Sequence, residues 1–209
     1  VVFDVNQRTI VRTFQHPTLN PQDWFIRRFD GAPHRVLFGL VSFQVGVDGI
    51  TFSADGHWLY YGTMSHDTMH RLPAADLLDP SVDDATLAGR IERVGTKPQS
   101  DGIATTAEGD ILITDVENGG LAVLRPDGTL QTLTKSSAVV WADSVEVAPN
   151  GDIWFTDSAI PVYLQQDLQP PARDVLDAAA PYHLYRIPVE EPEPEPEPEE
   201  GTDMPSKGP

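Results

Sequence analysis

The sequence predicts an all-β chain that forms part of a β-propeller. One strand–turn–strand pattern occurs three times, at residues 48–63, 101–115 and 143–157. Each copy begins with an aspartate and carries a turn glycine eight positions later, and the leading aspartates are 53 and then 42 positions apart. Four-stranded propeller blades take about 40–50 residues, and self-similarity at a fixed period is typical of repeat folds.

The turns and the strands beside them support the same fold. The three turns read Ala-Asp-Gly, Ala-Glu-Gly and Pro-Asn-Gly and end at Gly56, Gly109 and Gly151. Glycine supplies the positive φ that such tight turns need. The second strands, at 111–114 and 153–156, are apolar on both faces. That pattern is typical of a strand packed between two neighbouring sheets.

The first third of the chain contains a hairpin, a loop and the first repeat. Residues 1–5 and 9–14 alternate and are β-branched, which predicts a hairpin. Residues 15–33 contain three prolines, so we expect a long surface loop that Trp24, Phe25 and Phe29 hold against the core. The first complete repeat comprises a strand at 35–44, the 48–63 hairpin and a closing strand at 68–72. Residues 73–80 form one helical turn or a loop.

Two further repeats and a tail complete the chain. The second repeat runs from about residue 89 to 125. The third runs from 130 to 187 and is interrupted by an insertion at 158–182. We therefore assign residues 1–188 to propeller blades. Residues 189–209 are rich in Glu and Pro and cannot bury apolar surface, which predicts a disordered acidic tail.

Composition limits the function classes. The chain has 209 residues, 40% of them hydrophobic, and a net charge of −18. The acidic balance argues against nucleic acids and anionic membranes as partners. It is compatible with cations, amines or neutral small molecules. Cysteine is absent, so no thiol takes part in catalysis, and no run approaches the ~18 apolar residues of a membrane span.

The three leading aspartates are the candidate site. In a propeller the innermost strand of each blade lines the central channel, so Asp48, Asp101 and Asp143 should converge at one mouth of that channel. Carboxylates that share a cavity repel one another, which favours a bound cation or raised pKa values. Hard oxygen ligands suit Ca²⁺. Alternatively, each aspartate accepts hydrogen bonds from nearby backbone N–H groups or from the next blade.

Other polar and aromatic residues have simpler interpretations. We expect Asp115, Glu117 and Asp157, near strand ends, to be solvated turn formers rather than rim residues. His66 and His70 are four positions apart, but residues so spaced on a strand stand ~13 Å apart, too far for one zinc ion. The tryptophans near the repeated strands are expected to pack in the core; they are Trp58, Trp141 and Trp154.

An ordered series of short motifs resembles the major royal jelly protein/yellow family. The matching pieces are VGVDGI at 45–50, SADG at 53–56, LYY at 59–61, GTK at 95–97, SDG at 100–102, TDVEN at 114–118, VWAD at 140–143, FTD at 155–157 and LYRI at 184–187. Members of the family usually carry Pro where Ala142 stands. The resemblance implies a six-bladed propeller, of which this chain supplies about three and a half four-stranded blades from the C-terminal half. Missing blades or a second chain would then complete the ring, and a secreted or periplasmic location is expected.

The resemblance leaves three functions open. The first is binding of a small ligand, such as a cationic amine, in the channel, as in royal jelly/yellow-type proteins. The second is a calcium-dependent lactone hydrolase, because Asp48 and Asp101 resemble metal-ligand positions in the related gluconolactonase/senescence-marker lactonases. There a bound metal ion polarises the lactone carbonyl. The third is a protein-interaction scaffold, so the sequence does not decide whether the protein is an enzyme.

Overall fold

The chain is built from short antiparallel strands, as the sequence predicts. A computed structural model describes residues 1–22, 25–36, 40–161, 177 and 182–188. The strands are β1 (Val2–Asp4), β2 (Thr9–Arg12), β3 (Arg35–Val36), β4 (Val41–Ser42), β5 (Val47–Phe52), β6 (Trp58–Thr63), β7 (Thr68–Pro73), β8 (Glu92–Thr96), β9 (Ile103–Thr105), β10 (Ile111–Asp115), β11 (Gly120–Leu124), β12 (Leu130–Lys135), β13 (Ala142–Val147), β14 (Ile153–Asp157) and β15 (His183–Ile187). The helices are α1 (Ala74–Leu78), α2 (Asp84–Ala88) and a 3-10 turn (Pro17–Leu19).

Three sheets follow one another along the chain. The first has the order β5-β6-β7-β8, the second β9-β10-β11-β12, and the third β13-β14-β15. Every neighbouring pair is antiparallel. The pairs β1-β2 and β3-β4 form separate two-stranded sheets. Two four-stranded meanders followed by a three-stranded one are typical of propeller blades, so the all-β, partial-propeller prediction is confirmed.

The repeated turns have the predicted geometry. Gly56, Gly109 and Gly151 have φ values of +72°, +89° and +88°. In each turn the glycine N–H donates to the carbonyl oxygen three positions earlier, at Ser53, Thr106 or Ala148. A side chain at these positions would be strained, which is why the three copies share the glycine.

The sheets pack face to face through two apolar clusters. Tyr60 and Met69 of the first sheet pack against Ile111 and Ile113 of the second. The opposite face of the second sheet, including Leu112, packs against the third sheet. All residues of β10 and β11 are buried. The second sheet is therefore sandwiched between its neighbours, as the two-faced apolar strands predict.

The inner strands approach closely because a glycine follows two of the leading aspartates. A Cβ on Gly49 would lie 2.8 Å from the Asp101 carbonyl oxygen. A Cβ on Gly102 would lie 2.9 Å from the Ser144 Cα atom and closer still to the Asp143 carbonyl oxygen. Strand β9 accordingly packs against both β5 and β13. The first strands of the three sheets are thus adjacent in space.

The predicted repeat boundaries need correction. The strand near the start of the expected second repeat, β8, is the outer strand of the first sheet, and β12 is the outer strand of the second. Residues 35–44 contain the short pair β3-β4 rather than a blade strand. Of the helical turn or loop expected at 73–80, the helical turn is present as α1. Most of the 158–182 insertion and all of the 189–209 tail lie outside the described residues.

Residues 25–36 and 40–45, called here the cap segment, pack over one end of the inner strands. Ile26 is fully buried in a cluster with Met64, Val116 and Trp141. The expectation that Phe25 and Phe29 anchor this loop is wrong, because they are 46% and 50% exposed. Trp24 lies outside the described residues. Among the described helices, none is long and apolar enough to span a membrane.

Candidate functional site

The structure brings Asp48, Asp101 and Asp143 to the same end of three adjacent inner strands. Asp48 lies in β5, Asp101 stands two positions before β9, and Asp143 lies in β13. We call these three residues the carboxylate cluster. Asp48 is exposed, whereas Asp101 and Asp143 are partly buried. Their function as a ligand site stays a prediction, but the proximity on which it depends is present.

Asp101 is the electrostatic centre of the carboxylate cluster. Burial raises the pKa of Asp101 to about 7, against the opposing effect of a hydrogen bond from Trp141. The charges of Asp143 and Asp48, together with a hydrogen bond to Asp48, raise this pKa further. Close carboxyl groups cannot both ionise freely. Near neutral pH, Asp101 therefore exchanges its proton readily.

Trp141 fixes the orientation of Asp101 from the next sheet. Its indole Nε1–H donates to Oδ2 of Asp101 at 2.7 Å, and Trp141 is fully buried. The inter-blade hydrogen bond that the sequence left open as an alternative is therefore made by Asp101. Trp141 was expected only to pack in the core; its buried N–H also needs an acceptor, which is the feature that could have linked it to a polar partner.

Two buried carboxylates, Asp157 and Asp115, hold backbone segments near this site. Asp157 accepts hydrogen bonds from the backbone N–H groups of Val140, Trp141 and Ala159. Asp115 accepts from the backbone N–H groups of Glu117 and Asn118 and from the Asn118 amide. Both residues are turn formers as expected, but they are buried rather than solvated. Asp157 thereby holds the backbone of the tryptophan that orients Asp101.

Thr114 positions the backbone at Asp101, which the sequence analysis did not anticipate. Its hydroxyl oxygen accepts hydrogen bonds from the N–H groups of Asp101 and Gly102, at 3.1 and 3.0 Å. Thr156 accepts from Ser144 N–H in the same way in the third sheet. The shared threonine, one position before the final aspartate of the second and third hairpins, is the sequence feature that could have predicted this contact.

Lys97 is a second buried charge that the sequence analysis missed. It is 2% exposed, and its ammonium donates to the Pro98 carbonyl and to the Ser100 hydroxyl, both at 3.0 Å. Burial lowers the pKa of Lys97 to about 7, although the charges of Asp67 and Asp115 oppose the shift. Lys97 therefore holds the turn that leads into Asp101.

Glu117 connects the cap segment to this end of the sheets. Its Oε1 accepts from Arg27 N–H at 2.6 Å and from Gln99 Nε2 at 3.0 Å. The same Gln99 amide also donates to the Phe25 carbonyl. Burial raises the pKa of Glu117, and the hydrogen bond from Arg27 opposes that change. Glu117 is thus a partly buried anchor, not the solvated turn residue expected.

The carboxylate cluster offers the kind of donor atom that a calcium ion prefers, but too few of these donors. Carboxylate oxygens suit Ca²⁺, which takes six to eight oxygen ligands. Within the described ranges, however, no group of three or more His, Cys, Asp or Glu side chains is placed to hold a metal ion. Asp48 and Asp101 alone do not make a calcium site. The zinc exclusion stays a prediction; His70 lies in strand β7, as expected.

A cavity of about 300 Å³ opens beside Asp48. Its walls come from β5, β6 and β7, the N-terminal residues and α1, and they are apolar apart from Asp48 and Tyr61. The Tyr61 hydroxyl makes a 2.8 Å hydrogen bond with Thr18. This cavity therefore places one carboxylate at the edge of an apolar space.

No protein-family model matches the sequence, and no curated protein matches it either. Solved structures with a similar fold include a gluconolactonase from Xanthomonas campestris, with 15% identity over 85% of this chain and 57% of that chain and a TM-score of 0.49. They also include the calcium-binding protein regucalcin from Agrobacterium tumefaciens, with 18% identity over 68% and 46% and a TM-score of 0.41. A virginiamycin B lyase from Staphylococcus aureus shares 17% identity over 54% and 35%, with a TM-score of 0.39.

This chain spans about half the length of the first two of these structures. At such identities and TM-scores the similarities assign no activity and no ligand to it. The resemblance to the royal jelly/yellow family likewise remains an expectation from sequence motifs.

Proposed function

We propose that this chain carries the acid–base part of a hydrolytic site in a propeller of the gluconolactonase type. The observation behind the proposal is Asp101 itself. It is a carboxylate at the end of an inner strand, oriented by Trp141 and in contact with Asp48, and its pKa is raised to about 7. A general base is most effective when its pKa lies near the working pH.

The proposed chemistry needs one proton acceptor that later returns the proton. Ionised Asp101 takes a proton from a water molecule while the water oxygen bonds to the carbonyl carbon of a lactone. The bond from that carbon to the ring oxygen then breaks, and the proton passes to the leaving oxygen to give a hydroxy acid. Asp48 acts on this step by sharing the proton of Asp101, and Trp141 keeps the carboxylate in place.

Calcium would be held by Asp48 and Asp101, together with oxygen ligands other than a third carboxylate, because no group of three such side chains is placed to hold a metal ion among the described residues. The proton transfer proposed here is assigned to the carboxylates alone. Calcium binding is tested separately, by thermal unfolding of the intact protein with and without Ca²⁺. A stabilisation by Ca²⁺ that Asp48→Asn removes supports the cofactor, and an unchanged unfolding temperature argues against it.

The direct test is hydrolysis of glucono-1,5-lactone followed by pH-stat, with the uncatalysed rate subtracted. The substrate class is the one that the lactonase alternative of the sequence analysis names. We expect turnover that rises with pH through about 7 and falls at least about 100-fold in Asp101→Asn. Glu108→Gln changes an exposed turn carboxylate and serves as the matched control. Equal rates for Asp101→Asn and the native protein would exclude Asp101 as the base.

A second function is favoured by the cavity beside Asp48. A single carboxylate at the edge of an apolar cavity can bind an amine whose remaining atoms are apolar. The acidic composition of the chain also attracts cations. This function agrees with the royal jelly/yellow resemblance. Saturable binding of phenethylamine in calorimetry, lost in Asp48→Asn and without any lactone turnover, would favour it. If neither ligand binds, the interaction scaffold is the remaining proposal.

A further inference from the structure

A separate cavity lies between the cap segment and the loop that precedes β13. Its volume is about 370 Å³, within the range of about 300–1,000 Å³ that small-molecule sites occupy. Arg28, Phe29, Asp30 and His34 contribute from the cap segment. The other side consists of Ser137, Val139, Val140 and Pro161. The cavity does not include any member of the carboxylate cluster.

His34 is the unusual member of this lining. It is 6% exposed, and among the described residues no hydrogen-bond partner of its ring nitrogens is found. Its ring packs edge-on against Trp141, with centroids 5.5 Å apart, and its backbone is fixed by hydrogen bonds with Ile26 and Phe43. Buried polar groups normally have partners. An imidazole held rigidly at a cavity wall can donate to, or accept from, a ligand bound there.

Arg28 provides the cavity with a cation that can meet an anion, although Asp30 already pairs with it. Burial lowers the pKa of His34 and the charge of Arg28 lowers it further, while Asp30 opposes the change. A neutral imidazole still has one N–H to donate. The Arg28 guanidinium uses one Nη atom for Asp30 at 2.9 Å, and its other N–H groups can meet a carboxylate. Asp30 would repel a second negative charge on the same ligand, so a ligand with a single carboxylate is favoured.

The remaining walls are apolar and include an aromatic ring. Phe29 lies beneath the ammonium of Lys135, 5.5 Å from its ring centroid, and Val139, Val140 and Pro161 are apolar. A planar ring fits such walls better than a flexible polar chain does. We propose that this cavity binds a small aromatic monocarboxylate, whose carboxylate meets Arg28 and His34 while its ring contacts Phe29 and the valines. This site is independent of the function proposed for the carboxylate cluster.

The test is calorimetric titration of the intact protein with benzoate, and with benzylamine as the cationic counterpart. We expect one benzoate to bind with a Kd below about 1 mM, and benzylamine to bind at least about tenfold more weakly. His34→Phe keeps the edge contact with Trp141 but removes the ring nitrogens, and Arg28→Gln removes the charge. Each should weaken benzoate binding about tenfold, the usual effect of losing one charge-assisted hydrogen bond.

Two further variants separate binding from folding. Val140→Trp should fill the cavity and abolish benzoate binding; Val140 is partly exposed, so the larger side chain does not require a new core. His57→Asn alters an exposed histidine and should leave binding unchanged. No saturable binding below about 10 mM overturns the proposal. Undiminished binding by folded Val140→Trp, or equal binding of benzylamine and benzoate, overturns it as well.

Discussion

Replacing Asp101 by Asn should make the protein less sensitive to alkaline pH. The amide keeps an acceptor for the Trp141 N–H, so the geometry is preserved while the charge is removed. In the native protein the pKa of Asp101 is raised from 3.8 to about 7. A group whose pKa is raised on folding stabilises the folded state fully below its unfolded pKa. That stability is lost as the pH rises through the folded pKa.

The size of the effect follows from the same shift. The pKa of Asp101 is raised by about three units, and about two of these units are titrated between pH 5 and pH 8.5. At about 1.36 kcal/mol per unit, this corresponds to a loss of about 2.7 kcal/mol in the free energy of unfolding. Asp101 is partly exposed, and solvent screening reduces the expectation to about 1.5 kcal/mol. Because of Asp101, the native protein should lose about 1.5 kcal/mol of stability between pH 5 and pH 8.5. The Asp101→Asn variant should not show this loss.

Urea unfolding at pH 5 and at pH 8.5 measures this difference. The free energy of unfolding of Asp101→Asn minus that of the native protein should rise by about 1.5 kcal/mol between the two conditions. Glu108→Gln, at an exposed turn, should follow the native protein. A difference for Asp101→Asn that does not change with pH would refute the idea that Asp101 is buried among like charges.

Two further variants test the packing around the carboxylate cluster. Gly102→Ala should destabilise the protein by about 2 kcal/mol, because its Cβ would push β9 away from the backbone of β13; Gly89→Ala, whose Cβ would meet its nearest atom at 3.5 Å, should change stability by less than about 0.5 kcal/mol. Thermal and urea unfolding measure both, and equal effects would contradict the close approach. Lys97→Met removes a buried amine whose pKa is lowered to about 7. A lowered lysine pKa makes the folded state less stable as the pH falls from the unfolded pKa to the folded one. The free energy of unfolding of Lys97→Met should therefore increase relative to that of the native protein as the pH is lowered from 10 to 7. A difference between the two proteins that stays constant over this range would contradict the burial of the amine.

The turns and the inner strands could be predicted because local chemistry determines them. Asp-Gly and Asn-Gly turns need positive φ wherever they occur, and the aspartate-to-glycine spacing fixes where each hairpin starts. The sheet to which β8 and β12 belong could not be predicted in this way. The residues of β12 are mostly exposed, and its sequence carries no local feature that distinguishes the preceding sheet from the following one.

The residues that position the candidate site could mostly not be predicted from the sequence. Asp101 was found from the repeat, but its partner Trp141 lies 40 positions away in a segment whose apolar character suggests a core residue. Lys97 is charged, and charged residues are usually assigned to the surface. The cap segment is anchored by Ile26 rather than by the larger Phe25 and Phe29, a choice that depends on contacts with Met64 and Val116 and not on hydrophobicity alone.

The most direct measurement is the titration of the Asp101 carboxyl carbon by nuclear magnetic resonance in the native protein and in Asp48→Asn. If carboxylates from adjacent inner strands meet at one end of the sheets, Asp101 titrates near pH 7 and its midpoint moves down when Asp48 is neutralised. A midpoint close to the ordinary aspartate value of about 4, or one that ignores the change at Asp48, would contradict that arrangement.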